Sequence, residues 1–334
     1  AEMVDSFFSY IDNEFKYKKK YLTLFGGEPL LPGELYRERL GRIIRAAAER
    51  KLELAVVTNG FYLSEYLDLL TEAEIREIQV TLDGPAEIHD IRRPLKSGGG
   101  TFGTIVKGVD ESLARGLTVN LRVVADSENI PRLHELADFA AARGWSGNPL
   151  FKTQVGRNYE LHTCQMNRKP LLDRLGFGRA LYREMTEHPA LLDFFRPSFA
   201  LAKHLHEQGK LPEPLFDGCP GCKTEWAFDC SGSIFSCTAT VGKEGEALGR
   251  FHPDVYREET AIAAWTERDV LSIPECGSCD VQLACGGGCG AVAKNNSGRL
   301  HSPDCRPVKE LMGLGLSLYF EKELQAEEEP ICPD

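Results

Sequence analysis

Long apolar runs are missing from this 334-residue chain: none approaches the ~18 residues that a bilayer-spanning helix needs. No signal-peptide pattern opens it either, so a cytoplasmic protein with no membrane partner is expected. Basic character is scarce as well. Lys and Arg number 39 against 50 Asp and Glu, for a net charge of −11. A chain that grips a phosphate backbone normally carries a basic face, so nucleic acid is not an expected partner. The one basic run, Lys16 to Lys20 interrupted by Tyr17, reads as a solvated turn. Internal repeats and low-complexity tracts are absent. Cysteine is almost missing from the first two thirds, where only Cys164 precedes residue 219, while the other ten fall between 219 and 332. In a cytosolic chain so uneven and dense a set points to metal binding or catalysis rather than disulfides.

What is present in the first part is an alternation of helix-like and strand-like segments. Met3 to Phe15, Glu34 to Glu49, Phe102 to Arg115 and Pro131 to Arg143 have helical character, with Thr101 placed to cap the third. Tyr21 to Phe25, Leu52 to Val57, Ile78 to Leu82, Leu117 to Val124 and Leu150 to Val155 read as strands. This order predicts parallel β-structure with right-handed crossovers, as a doubly wound sheet or a barrel. Gly26-Gly27-Glu28, Thr58-Asn59-Gly60 and Asp83-Gly84 sit where strands end, the rim at which such barrels build their sites. Three regions are expected: 1–155 as an α/β domain, 156–215 as a helical connector, and 216–334 as a small cysteine-rich domain. The acidic stretch Glu327-Glu328-Glu329-Pro330 reads as a frayed tail.

The cysteines follow fixed intervals. Cys219-Pro220-Gly221-Cys222 is followed by Gly232 after nine residues and Cys237 after four more. Then comes Cys276-x2-Cys279-x5-Cys285-x3-Cys289, with Cys305 fifteen residues on. Eight soft thiolates make two sets of four, the complement of two 4Fe–4S clusters. Tetrahedral zinc also uses Cys-x2-Cys pairs, so two structural zinc sites remain open at this point. A redox dithiol at Cys219 and Cys222 would want a βαβ context that is missing. Gly286-Gly287-Gly288 and Gly290 flank Cys289 and allow close backbone approach to a bulky cluster. No Gly-Lys-Ser/Thr follows them, so they are not a phosphate loop. Cys164, Cys230 and Cys332 fall outside the pattern and read as ordinary thiols, although Cys230 lies near the first set.

This constellation resembles the SPASM domain of radical S-adenosylmethionine (SAM) enzymes at every interval. The first half agrees: Leu24-Phe25-Gly26-Gly27-Glu28-Pro29 resembles the family's Gly-Gly-Glu motif, which holds the SAM amino group. Thr81-Leu82-Asp83-Gly84-Pro85 with His89-Asp90-x2-Arg93 resembles its ribose and carboxylate region, with Thr81 in place of the usual Ser. The resemblance implies a partial (β/α)6 barrel lacking its first strand, with SAM held by Gly26, Gly27, Glu28, Thr81, Asp83 and Arg93. Arg122 is a rival ligand for the carboxylate. It further implies that Cys219, Cys222, Cys237 and Cys289 hold one auxiliary 4Fe–4S cluster and Cys276, Cys279, Cys285 and Cys305 a second.

One departure is plain. The family's Cys-x3-Cys-x2-Cys loop, which carries the SAM-binding cluster, is not in this sequence. Because the chain opens Ala1-Glu2-Met3, the first strand and that loop are expected to precede it in a full-length protein, where a third 4Fe–4S cluster would sit. The chain as given would then be inactive. The implied activity is release of a 5′-deoxyadenosyl radical that abstracts hydrogen from a residue of a peptide or protein, as in ribosomal-peptide maturases, with flavodoxin or ferredoxin as reductant. Three alternatives stand beside it: a sulfatase-maturing type, which Thr238 after Cys237 disfavours because that type tends to have Asp there; a non-catalytic iron–sulfur relay or peptide-binding relative; and a zinc-stabilised binding module. The general base, and the choice among thioether formation, carbon–carbon crosslinking, epimerisation and oxidation, are not legible.

Overall fold

The structure is a computed structural model, and it describes residues 2–158 and 171–327, with side chains to residue 320. Cys164, Cys332 and the tail beyond Glu327 lie outside the described residues. The chain packs as two compact units. The first comprises Asp12–Asn158 and Arg183–Arg196, and the second Glu2–Ile11, Tyr159–Tyr182 and Pro197–Asp334. The segment expected as a connector is therefore shared: of its described residues, 156–158 and 183–196 belong to the first unit, and 171–182 and 197–215 to the second.

The first unit is built on a five-stranded parallel sheet, β1 (Leu22–Leu24), β2 (Leu54–Thr58), β3 (Ile75–Thr81), β4 (Val119–Ala125) and β5 (Phe151–Arg157), in simple sequential order. Parallel neighbours in sequential order, each joined by a right-handed crossover, put every connecting helix on the same face. That face is apolar. Ile78, Val80 and Leu82 alternate with Val119, Leu121 and Val123 across the β3–β4 ladder, and all six are 0% exposed. The crossover helices are α2 (Glu34–Glu49), α3 (Leu63–Leu70), α4 (Ala86–Arg92), α5 (Phe102–Ala114) and α6 (Leu133–Ala142). Helices α3 and α4 are short, seven or eight residues, and have no side-chain cap, so periodicity alone did not disclose them. The opposite face is polar: Glu77, Gln79, Thr81, Asn120, Arg122, Lys152 and Gln154 share it by register. A sheet with one wet face and one dry face is what half a barrel requires, with the wet face as its lining.

Thr101 does occupy the N-cap position of α5, but its hydroxyl does not cap. It donates instead to the Arg93 carbonyl (2.9 Å), and the Asp90 carboxylate accepts the Thr101 and Phe102 amides (2.7 and 2.8 Å). A carboxylate facing two unpaired amides at a helix start is the stronger acceptor, so it displaced the hydroxyl.

The second unit contains α1 up to Ile11, within helix Glu2–Glu14, and a small antiparallel sheet of β6 (Ala227–Phe228), β7 (Ser233–Phe235), β8 (Gly249–Arg250) and β9 (Tyr256–Arg257). Phe7 of α1 meets Phe228 and Phe251 edge to face, at 5.1 and 5.7 Å between centroids. Short helices α10 (Glu259–Thr266), α11 (Gln282–Cys285) and α12 (Gly290–Ser297) carry the cysteine loops, and α13 (Val308–Glu327) packs on α9 (Ala202–Gln208). Among the described residues no helix is long and apolar enough to cross a membrane.

Candidate SAM edge and cysteine sites

The C-terminal edge of the parallel sheet gathers the residues expected at the SAM site, in two different roles. Gly26 and Gly27 follow β1 and are exposed, with open space around them. Glu28 is not free to meet an ammonium with a bare carboxylate. Its Oε1 accepts the Leu30 amide (2.9 Å) and the Thr58 hydroxyl (2.5 Å), and its Oε2 accepts the Asn59 amide (2.7 Å). Glu28 thus straps the end of β1 to the end of β2 and shapes the glycine loop. Thr81 closes β3; it is buried, and its hydroxyl has no hydrogen-bond partner among the described residues. Arg122 pairs with Thr81 in register and donates to Gln79 Oε1 at 3.3 Å. Beside it the buried Asn120 Oδ1 has no hydrogen-bond partner among the described residues, an unmet acceptor on the wet face.

Asp83 is 2% exposed and fully engaged. Its Oδ1 accepts the Val124 amide (2.9 Å), and its Oδ2 takes Arg93 Nε (2.8 Å) and Arg92 Nε (3.4 Å). It holds Arg93 in place while the Arg93 side chain stays 38% exposed, with its terminal nitrogens left for an incoming carboxylate. Asp83 thus fixes the Arg93 side chain at the sheet edge.

Sequence reasoning missed the group behind them. Arg92 binds Asp126 through two nitrogens (3.2 and 3.0 Å), and Asn129 Nδ2 reaches the Asp83 and Val124 carbonyls (2.7 and 3.0 Å). Burial raises the Asp126 pKa, but the Arg92 hydrogen bonds and charge outweigh it and hold the carboxyl below its usual range. No motif marks these positions. His89 completes the network: the Asp83 amide donates to its Nδ1 (3.1 Å), and its Nε2 lies 3.1 Å from the Thr101 hydroxyl. Since Nδ1 accepts, the ring proton is on Nε2 and the imidazole is neutral.

The eight patterned cysteines form two electrostatically coupled quartets. Cys219 interacts with Cys289, Cys222 with Cys237 and Cys219, and Cys237 with Cys219. Cys276 feels Cys285, Cys279 and Cys305, and Cys305 feels Cys285 and Cys279. Cys230 is exposed and stands apart from both sets, and all nine described cysteines are unbridged. A hydrogen bond from the Cys289 thiol, with the Gly221 and Gly290 amides, pulls the Cys219 pKa down to about 6, and the same bond pushes Cys289 up. Burial, then Cys237 and Cys219, push Cys222 up to about 12. Buried thiolates crowded in this way need a cation to ionise together.

Among the described residues no three cysteine sulfurs lie within 4.8 Å of one another. Trp265, Leu248, Ile262 and Ala291 pack against Cys219, Cys222 and Cys237 in an apolar cluster, and Val270 and Ile273 pack with Cys276, while Cys279 is half-buried and Cys305 exposed. Two glycines are sterically required. A Cβ at Gly232 (φ +88°) would stand 2.5 Å from the His252 carbonyl oxygen, and one at Gly288 (φ +71°) 2.1 Å from that of Asp304.

A fully buried guanidinium joins the two quartets. Arg268 is 0% exposed. It donates to the carbonyls of Leu300, Gly287, Ser302 and Gly288 (2.9, 2.9, 2.9 and 3.2 Å) and to Asp217 (3.4 Å). Its charge lowers the pKa of Cys219 in one set and opposes the rise of Cys276 in the other. Asp217 also binds Lys223 and accepts the Cys219 amide (3.1 Å).

Comparison with known proteins agrees with this geometry. Residues 4–140 match the family model described as "Radical SAM superfamily". The chain carries a radical SAM domain. An uncharacterized protein of Methanothermobacter thermautotrophicus is 34% identical over 133 residues, 39% of this chain and 49% of its own length. A GTP 3′,8-cyclase of Rhizobium meliloti is 36% identical over 129 residues, 37% of this chain and 35% of the cyclase. The chain thus matches about half or less of the length of these curated relatives. Among solved structures, native anSMEcpe with bound AdoMet has a TM-score of 0.67 at 16% identity, covering 98% of this chain and 89% of that one. SuiB of Streptococcus suis, bound to S-adenosylmethionine, has a TM-score of 0.61 at 15% identity, covering 91% of this chain and 69% of SuiB. These likenesses are of fold.

Two outcomes test the site. Burial pulls the His89 pKa from 6.5 to about 4, so the unfolded chain takes a proton that the folded chain refuses. Stability from this group is full above pH 6.5 and declines as pH falls towards 4, by about 3 kcal/mol in all. Denaturant titrations of the wild type and His89→Gln across this range should differ by that slope. Arg268→Met removes the side-chain donor from the Leu300, Gly288 and Ser302 carbonyls, and one of the partners of Gly287 and of Asp217. It should cost about 3–5 kcal/mol and reduce iron retention at both quartets, as read by metal analysis after anaerobic reconstitution.

Proposed function

We propose that this chain belongs to a radical SAM enzyme that modifies a peptide or protein and carries two auxiliary 4Fe–4S clusters, on the SPASM pattern. The observation that carries the reading is the joint presence of the radical SAM sheet and eight unbridged cysteines in the SPASM spacing, in a fold whose likeness to anSMEcpe spans 98% of the chain. Solved forms of that protein hold AdoMet with a Kp18Cys peptide, and SuiB has been solved with the precursor peptide SuiA. The likeness to the named cyclases covers about 37% of the chain.

In this reading SAM lies at the C-terminal edge of the parallel sheet. The Gly26 and Gly27 backbone, held in shape by Glu28, faces its ammonium; Arg93, steadied by Asp83, takes the carboxylate; and Thr81 offers its unpaired hydroxyl to the ribose. Arg122 and Asn120 line the same wet face, where an acceptor stands unmet. Reductive cleavage of SAM supplies a 5′-deoxyadenosyl radical when the cofactor and its cluster are bound. This chain's own contribution is to orient SAM, to exclude water from the apolar walls of the quartets, and to set their charge through Arg268. Electrons would come from a small cytoplasmic carrier such as flavodoxin or ferredoxin.

The test is anaerobic incubation of the full-length protein with SAM, a low-potential reductant, and either a candidate peptide or GTP, read by mass spectrometry. A changed peptide mass accompanied by 5′-deoxyadenosine is the expected outcome. Consumption of GTP with the peptide unchanged would replace this reading with a nucleotide-directed one.

A further inference from the structure

Away from the sheet edge and the cysteines, the first unit holds a second cluster of ligating side chains. His134 is near the start of α6, Glu184 lies on the last turns of helix α7 (Arg174–Glu187), and His188 stands one residue past its end. One ligand atom from each lies within 4.8 Å of the other two. We infer that His134, Glu184 and His188 form a binding site for a divalent transition-metal ion of the imidazole-preferring kind, with zinc the natural probe.

The argument starts from Glu184. Its side chain is 8% exposed, and its single hydrogen bond among the described residues is to His134 Nδ1, at 2.7 Å. A carboxylate offers about four acceptor positions, so Glu184 can take a cation beside its bond to His134. Among the described residues no Lys or Arg pairs with it; Arg132, close in sequence to His134, is engaged by Glu87 and Glu135. His188 supplies the third donor. Its amide bonds the Glu184 carbonyl at 2.8 Å, which fixes the i, i+4 placement of the two side chains on one face, while its ring has no hydrogen-bond partner among the described residues. Glu135 is the other acid near His134, 3.9 Å from Nε2, and it is already paired with Arg132.

The metal-free arrangement is near a binding geometry without being one. The His134 and His188 rings are stacked, 3.7 Å between centroids and 11° from parallel, so a shared ion must lie in the plane of each only after one ring turns. His188 is the ring able to turn, being half-buried beyond the helix end. His134 Nδ1 and Glu184 Oε1 then part from hydrogen-bond distance to admit the ion. Two imidazoles and a carboxylate satisfy zinc, or iron(II), with at least one coordination position left to water or another ligand. The ion would clamp α6 to the 183–196 segment. This differs in donor chemistry from the all-sulfur quartets, and it does not depend on what they hold.

The experiment uses protein with its clusters reconstituted, so that the eight thiols are occupied. Zinc chloride is titrated by calorimetry, and the bound zinc is examined by X-ray absorption. The expected result is one zinc per chain with nitrogen and oxygen neighbours at about 2.0–2.1 Å, weakened by about tenfold or more in His188→Ala and in Glu184→Gln. His188→Ala, at a half-exposed position, keeps the comparison valid if the buried Glu184 variant folds poorly. Equal zinc uptake by wild type and His188→Ala, no uptake by either, or a sulfur-only shell would overturn the proposal.

Discussion

A single buried cation, the Arg268 guanidinium, organises the cysteine-rich unit. The loop from Cys285 to Cys289 passes from one quartet to the other, and its three glycines expose backbone carbonyls that need a donor. Arg268 binds two of those carbonyls, two more from the strand of chain leading to Cys305, and the carboxylate of Asp217 just before Cys219. One residue therefore fixes segments belonging to both sets. It also places a positive charge where the thiolates would otherwise repel each other, which is the physical condition for assembling anionic sulfur around an inorganic core.

The sheet edge follows the same logic on a smaller scale. Charged residues are buried there as a satisfied lattice: Asp83 joins Arg92, Arg93 and the Val124 amide, and neutral His89 links the Asp83 amide to Thr101. The lattice holds the loops after β3 and β4 in one arrangement and, among the described residues, leaves the Thr81 hydroxyl, Asn120 Oδ1 and the outer nitrogens of Arg93 without hydrogen-bond partners. A rigid frame with unspent donors and acceptors at its rim is suited to fixing a small charged cofactor.

The legibility of this protein in its sequence divides by cause. The cysteine intervals were readable as a repeated spacing, and the structure gives Gly232 its reason, since a neighbouring carbonyl leaves no room for a Cβ. The parallel strands were readable from their apolar runs, whose inward residues the structure buries completely in β3 and β4 and only partly in β1 and β5. The roles of Glu28 and Asp83 were not. A motif says that a carboxylate is needed, and only coordinates say whether it faces a ligand or straps a loop. Arg268 stands in the long gap between Cys237 and Cys276, without a motif, and its importance arises from tertiary contacts alone. The short helices α3 and α4 escaped notice because seven or eight residues give periodicity too little length to register.

The central claim is that the two quartets enclose iron–sulfur cubanes. Mössbauer spectroscopy of anaerobically reconstituted, iron-57-labelled protein tests it most directly. The account predicts about eight irons per chain, four to each cubane, all in 4Fe–4S signatures, with about half of them lost on removing Cys237 alone. Two zinc ions per chain in place of iron, or disulfides among the eight thiols, would contradict it.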